Sequence, residues 1–194
     1  YMNGNKAKLK FNPNNFEVPI HWDSYEGAYM IQLRVGNDII ESVVDSGCGH
    51  ITAKSSNCKW KMCEHCQTQK CPIHGGEYYT GGNGENTNLQ DTEEMTYGSQ
   101  TDTIIRRKEQ VSIIGRHNVE LQMSASPIEV QQIVAITGSS YSNLFGCSNI
   151  RSRFLRNGNQ HPLEVLKTRI WSLDLKTHTG TIRLNTTRTK RTWR

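Results

Sequence analysis

The chain has 194 residues, of which 35% are hydrophobic and 21% charged, and its formal net charge at pH 7 is +5. This length is enough to bury a core and favours one domain. No apolar run approaches the ~18 residues of a membrane-spanning helix, so we expect no membrane association. Abundant Thr, Ser, Asn and Gly, with no apolar helical period longer than about two turns, favour an all-β class of short strands.

Residues 1–24 are rich in Asn and Lys and then contain the apolar segment 16–20, FEVPI. We interpret them as an extended N-terminal arm. Because proline lacks a backbone N–H, Pro19 should keep the arm out of a central-strand position, at a sheet edge or on a partner chain. A β domain over residues 25–187 and a basic tail over residues 188–194 complete the predicted organisation.

A β-hairpin is predicted next, because side chains alternate between apolar and polar over residues 29–35 and a glycine turn leads into the apolar residues 39–45. The second strand ends on Asp45, which enters a tight Ser46-Gly47 turn. A carboxylate at the end of a buried strand is costly to ionise unless donors surround it, which suggests a functional group. The alternative is an ordinary hairpin tip, where Asp-Ser-Gly is common.

The cysteine content indicates disulfide bonds in an oxidising, secreted setting. Four of the six cysteines fall within fourteen polar residues. The sequon at Asn185 agrees with a secretory route. The cysteines are Cys48, Cys58, Cys63, Cys66, Cys71 and Cys147.

A zinc site is the competing interpretation of the same region. Cys63 and Cys66 form a C-x-x-C pair, and His65, Cys71 and His74 are near in sequence. A tetrahedral zinc site usually needs two separated pairs of ligands, and the sequence shows one. We therefore predict no metal and no other cofactor.

The rest of the chain predicts more short strands over residues 95–136, as a small barrel or curled sheet requires, and one short helix near residues 162–167. Residues 151–194 hold 11 Lys and Arg against two acidic residues, whereas residues 1–150 hold 12 against 16. We interpret this asymmetry as a solvated basic surface. Nucleic-acid binding is disfavoured because no interleaved aromatic residues or recognition helix accompany the charge.

Several of these segments, in this order, resemble the N-terminal lobe of the pepsin-like aspartic proteases over roughly residues 25–185. In that family an aromatic-led strand, a turn and an apolar strand run into Asp-Thr/Ser-Gly, as they do here into Asp45-Ser46-Gly47. The other similar segments are residues 50–53, HITA; 95–99, MTYGS; 143–146, NLFG; 170–175, IWSLDL; and 179–184, TGTIRL.

This resemblance implies a single lobe of curled β-sheets with a disulfide-rich loop, in which Asp45, Ser46 and Gly47 form the catalytic turn. It also implies that Tyr97 and Gly98 belong to a flap that closes over a peptide substrate, although Tyr97 could equally be an ordinary strand aromatic.

The resemblance also places a small disulfide loop at Cys58 and Cys63. With that bridge in place, we expect Cys66 to pair with Cys71 and Cys48 with Cys147.

The sequence departs from the family in ways that bear on activity. A pepsin-like enzyme uses two carboxylates that share a proton, and none of the other aspartates is followed by Ser/Thr-Gly. Cys48 stands where the family usually has a serine that bonds the catalytic carboxylate, and Thr52 where animal enzymes have a tryptophan that bonds the flap tyrosine. Ser142-Asn143 replaces the usual Asp-Gly.

Two hypotheses follow. The first is an aspartic endopeptidase lobe whose second aspartate comes from another lobe or an identical chain. The second is a catalytically inactive pepsin-like module that serves binding or assembly in an extracellular, particle or filament structure. A polyanion-binding domain in residues 151–194 is a distant third.

Overall fold

A computed structural model describes residues 16–63, 65–73, 75–81, 92–97, 100–138, 143–148, 161–166 and 171–184. The fold is all-β, as the sequence predicts. One short helix, α1 (Pro162–Val165), falls where it was expected. The strands are β1 Phe16–Asp23, β2 Ala28–Val35, β3 Asp38–Asp45, β4 Thr52–Lys61, β5 Gln69–Lys70, β6 Glu93–Tyr97, β7 Gln100–Glu109, β8 Val111–Ile114, β9 Glu120–Gln122, β10 Ile128–Thr137, β11 Asn143–Gly146, β12 Trp171–Leu175 and β13 Thr179–Leu184.

The larger sheet has eight strands. Its main path runs β11-β3-β2-β1-β13-β12, and β8, which also pairs with β9, joins it beside β2. The predicted hairpin of residues 29–45 is present as antiparallel β2 and β3, which pair from Met30↔Val43 to Val35↔Asp38. Strand β11 is parallel to β3, and this places the end of β11 at the end of β3.

The prediction that Pro19 keeps the N-terminal segment out of a central position is wrong. Strand β1 lies inside the larger sheet, between β13 and β2. The physical reason is that β1 pairs with β13 along residues 16–21 but with β2 only from His21 onward. Pro19 therefore lies where one side of the strand has no partner, and its missing N–H breaks no ladder on that side.

The smaller sheet has five strands in the order β5-β4-β10-β7-β6. Strands β4 and β10 are parallel, and the other pairs are antiparallel. A β-bulge between Ile133 and Ala135 shifts the register of β10 against both neighbours. Such a bulge bends and twists a strand, and here it lies in the centre of the sheet that carries the β6–β7 hairpin.

The main core contains buried side chains from both sheets, such as Leu33 and Ile113 from the larger and Ala53 and Val130 from the smaller. A second, smaller apolar cluster forms on the five-stranded sheet around the Cys58–Cys71 disulfide, Ile104, Ile133 and Ile136. No helix among the described residues is long and apolar enough to cross a membrane.

The disulfide pairing differs from the one expected. Cys58 pairs with Cys71, and Cys63 pairs with Cys66, while Cys48 and Cys147 are buried free thiols. The reason is strand pairing that the sequence did not indicate. Strand β5 folds back on β4, and the Cys71 N–H donates to the Cys58 carbonyl at 3.0 Å, which brings the two Cα atoms to 5.4 Å.

The second bridge closes a turn in which the Cys66 N–H donates to the Cys63 carbonyl. The two bridges use the thiols that the zinc interpretation required. Both bridges indicate an oxidising environment. Gly98, the sequon at Asn185, the basic tail 188–194 and most of the basic segment 151–194 lie outside the described residues.

Candidate active site

The Asp45 turn is built from the end of β3. Asp45 is half-buried at the last position of the strand, and Ser46 and Gly47 form the exposed turn that follows. The Gly47 N–H donates to Asp45 Oδ1 at 2.7 Å. A charge-assisted bond of this kind fixes the carboxylate on its own turn, so the sequence prediction of a held carboxylate agrees with the geometry.

Strand β11 holds the turn through its backbone. Gly146 lies opposite Asp45 in the parallel register, and the next residue, Cys147, donates its N–H to the Asp45 carbonyl at 2.8 Å. The Gly146 N–H donates to the His50 carbonyl, and the Ser148 N–H to the Cys48 carbonyl. Residues 45–50 are thus joined by backbone hydrogen bonds to residues 146–148.

Gly146 is required by space. A Cβ atom there would lie 2.5 Å from the His50 nitrogen and 2.6 Å from the Cys48 carbonyl oxygen, and both are backbone atoms that cannot rotate away. The apolar-apolar-Gly pattern of residues 144–146 therefore ends on a glycine because the Asp45 turn passes directly over it.

Two polar side chains tie β11 to its neighbours. Asn143 accepts from the Lys54 N–H through Oδ1 at 2.7 Å and donates from Nδ2 to the Glu41 carbonyl at 2.9 Å. Thr52 Oγ1 accepts from the Leu144 N–H at 2.8 Å. The side chains of Asn143 and Thr52 thus link β3, β4 and β11 by hydrogen bonds.

The β6–β7 hairpin faces this turn across a cleft of about 390 Å³. The cleft is lined on one side by residues 47–50 and on the other by residues 93–97 and Arg106. Tyr97 ends β6, and its hydroxyl is within 3.5 Å of Gln131 Oε1 on β10. Residues 47–50 and Tyr97 thus lie on opposite sides of one cleft.

Tyr97 lies close enough to Asp45 for the carboxylate charge to affect the pKa of its phenol. Burial is the main cause that raises the pKa of the Tyr97 phenol, and the acidic groups Cys48, Asp102 and Asp45 raise it further. The phenol therefore stays protonated and can donate a hydrogen bond at any physiological pH.

Arg106 fixes the base of the hairpin. Its Nε and Nη2 atoms bond the two Glu93 carboxylate oxygens at 3.0 and 2.9 Å, and its Nη1 bonds Glu129. Arg106 on β7 thereby joins β6 to β10 across three strands. Bidentate pairs of this type are the geometrically specific ones, so Arg106 adds a side-chain link to the backbone pairing that already joins β7 to β10. The sequence analysis did not single out this residue.

The two free thiols beside the turn are chemically quiet. Burial raises the pKa of Cys48 to about 11 and the pKa of Cys147 to about 12, and the charge of Asp45 adds to both shifts. Cys48 Sγ accepts from the His50 N–H at 3.4 Å. Burial also lowers the pKa of the His50 imidazole, so the ring is neutral near pH 7. A thiolate nucleophile activated by histidine does not form here.

Among the described residues, no hydrogen bond joins the Asp45 carboxylate to another carboxyl side chain. The same described ranges contain no cluster of three His, Cys, Asp or Glu side chains that could hold a metal ion.

Two charged residues of the five-stranded sheet are buried, Asp102 on β7 and Lys54 on β4, and the sequence analysis assigned no role to either. Burial raises the pKa of Asp102 to about 6 and lowers the pKa of Lys54 to about 8. Lys54 Nζ donates to the Pro72 carbonyl at 2.7 Å, next to the Cys58–Cys71 bridge. A lysine within a polar strand such as TAKSS gives no signal that it will be buried.

No protein-family model matches the chain, and no curated protein matches it either.

Proposed function

We propose that this chain is one lobe of a pepsin-like aspartic endopeptidase, with Asp45 as one of two catalytic carboxylates and the second supplied by another lobe or by an identical chain. The observation that supports it most directly is the Asp45 turn itself. Its carboxylate is fixed by the Gly47 N–H, its backbone is held by β11, and a hairpin that ends in Tyr97 faces it across a cleft.

In this proposal the two carboxylates share one proton, because like charges a few Å apart cannot both ionise. The ionised carboxylate takes a proton from a water molecule as the water oxygen attacks the peptide carbonyl carbon. The protonated carboxyl gives its proton to the carbonyl oxygen. As the tetrahedral intermediate collapses and the C–N bond breaks, the carboxyl that took the water proton gives it to the leaving amine. One hydroxyl of the intermediate returns its proton to the other carboxylate, which restores the starting pair.

The remaining groups around the cleft fit an extended peptide. Tyr97 keeps its proton, so its hydroxyl can donate to a substrate carbonyl. The edge of the cleft at residues 47–49 is Gly-Cys-Gly, whose small side chains leave room for a chain in extended conformation. Gly98, which would complete the flap, is part of the proposal but lies outside the described residues.

A second candidate is a catalytically inactive pepsin-like module that binds or assembles. The observation that favours it is Cys48, which stands where a hydroxyl would bond the catalytic carboxylate. Its sulfur is instead bonded to the backbone of its own turn, at the His50 N–H. A thiol is also a much weaker donor than a hydroxyl.

Both candidates predict a partner, and strand β12 is the surface we propose for it. β12 is an outer strand of the larger sheet, with Leu173 38% and Leu175 50% exposed. Leu173 lies opposite the buried Ile182, so the apolar face of the sheet continues past the point where the core covers it. An uncovered apolar edge strand is suited to strand addition by a second lobe or second copy. We further propose that the assembled protein is secreted.

The experiment compares the isolated chain with any longer product of its gene, using an unfolded protein as substrate between about pH 3 and 6, the range set by aspartate pKa values. We expect the isolated chain to be inactive at every concentration at which it is monomeric. We expect hydrolysis, blocked by a statine-type transition-state mimic, only when a second carboxylate is supplied.

The variant Asp45→Asn should abolish that hydrolysis, and the control Glu77→Gln, which changes an exposed carboxylate that belongs neither to the cleft nor to β12, should retain it. Binding of the mimic without hydrolysis would favour the inactive module. Hydrolysis that survives Asp45→Asn would overturn both candidates.

A further inference from the structure

A polar groove of about 690 Å³ lies on the outer face of the larger sheet, apart from the cleft described above. One wall is the loop of residues 114–118, and the other is the β12–β13 hairpin with the adjacent part of β1. This volume falls within the range of small-molecule sites, about 300 to 1,000 Å³. None of the proposed catalytic residues lines it.

The groove carries positive charge that is not used within the protein. Three of its lining residues are lysine or arginine. Arg183 is neutralised by Glu17 and Asp174, at 3.0 and 3.2 Å. Arg116 and Lys176 are exposed and form no ion pair with any other residue that the structure describes. These two side chains are therefore available to a ligand.

The loop wall is held in place before any ligand binds. The Gly115 N–H donates to the Val119 carbonyl at 2.8 Å, and the Val119 N–H returns to the Arg116 carbonyl at 3.2 Å. A Cβ atom at Gly115 would lie 2.6 Å from the Phe16 ring, so the loop packs directly on β1. His117 and Asn118 have φ values of 58° and 55°, in the left-handed region that few non-glycine residues adopt.

The hairpin wall is equally fixed. The Lys176 carbonyl accepts from the Tyr29 hydroxyl, and the Lys176 N–H donates to the Thr179 carbonyl at 2.8 Å. The neighbouring His178 carbonyl accepts from the Trp22 N–H at 3.0 Å. Because both walls are ordered, a ligand that binds between them pays little to organise the site.

The other lining groups indicate the class of ligand. Thr179 and Thr181 offer hydroxyls, Asn118 offers an amide, and His21 and His117 offer ring nitrogens. Hydroxyl and amide donors around two uncommitted cations suit the oxygens of phosphate or sulfate.

We propose that this groove binds a multivalent tetrahedral oxyanion, carried by a phosphorylated or a sulfated small ligand, between Arg116 and Lys176. The test is isothermal titration calorimetry at low salt with two probes, inorganic pyrophosphate and a sulfated disaccharide. Saturable one-site binding of pyrophosphate assigns a phosphorylated ligand, and preference for the disaccharide assigns a sulfated one.

Arg116→Ala and Lys176→Ala should each weaken the better probe by about tenfold, the effect of losing one charge-assisted contact. The control Lys108→Ala removes the same charge from an exposed position on β7 and should leave affinity unchanged. Both alanine variants alter exposed side chains, and an unchanged unfolding midpoint confirms that they fold. Absence of saturable binding by either probe, or equal weakening by Lys108→Ala, would overturn the proposal.

Discussion

The Asp45 turn and the cysteine-rich hairpin of residues 58–71 are both irregular segments next to a sheet, but different forces fix them. The Asp45 turn is held by backbone hydrogen bonds to β11 and by the close approach of Gly146. The hairpin pairs with its sheet through the two-residue, exposed strand β5 and is closed by two disulfides. Backbone hydrogen bonds suffice for the Asp45 turn, whereas disulfides reinforce the hairpin both at Cys58–Cys71, in the smaller apolar cluster, and at its exposed tip, where Cys63–Cys66 has little apolar surface around it.

The largest effect is expected at Gly146. Gly146→Ala should lower the free energy of unfolding by about 3 kcal/mol or more, because the new methyl group collides with fixed backbone. Urea denaturation measures this. Gly27→Ala is the control, since Gly27 has a φ of +62° but open space around it and should cost about 1 kcal/mol of strain. Equal costs at the two sites would show that the Asp45 turn is loosely held.

The next largest effect concerns the cysteine-rich hairpin of residues 58–71. Replacing Cys58 and Cys71 together by serine should lower the free energy of unfolding by about 3 kcal/mol on the chain-entropy model. The same change at Cys63 and Cys66, which close a much shorter loop, should cost about 2 kcal/mol. Denaturation of the two double variants side by side tests the order. A reversed order would mean that the shorter bridge, and not the one beside β5, fixes the hairpin.

Asp102 on β7 should make the stability of the protein depend on pH. Its folded-state pKa, about 6, lies above the ordinary value of 3.8, so the folded protein binds more protons between those values. Stability therefore falls as pH rises from about 4 to 6 and is lower by roughly 3 kcal/mol above that window. Asp102→Asn should remove this fall. Denaturation at several pH values measures this fall in stability, with Glu94→Gln, which changes an exposed carboxylate, as control. If the stability of Asp102→Asn falls with pH as steeply as that of the original protein, Asp102 is not its cause.

The smallest expected effect is a difference in reactivity between the free and the disulfide-bonded cysteines, with no change in stability. Without reductant, the native protein should show no thiols that react with iodoacetamide at pH 8, because Cys48 and Cys147 are buried with raised pKa values. Denaturant should release two reactive thiols. Mass spectrometry of the alkylated peptides would place both labels, and labels on Cys58 or Cys71 would contradict the observed pairing.

Much of the site could be predicted because its signals are local. The alternation in residues 29–35 and the apolar residues 39–45 predict a hairpin that ends on Asp45, and the structure confirms it. The roles of Arg106, Asp102 and Lys54 could not be predicted, because each depends on partners from other strands that sequence spacing cannot bring together.

The sequence by itself determined the all-β class, the strand that carries Asp45 and the presence of disulfide bonds, since each depends on side-chain periodicity or on composition. Only the tertiary structure decided which cysteines pair, because pairing depends on β5 folding back on β4 and not on separation along the chain. It likewise decided that β1 lies inside the sheet, because the effect of Pro19 depends on where β2 begins to pair. Periodicity belongs to one strand, whereas register is a property of two.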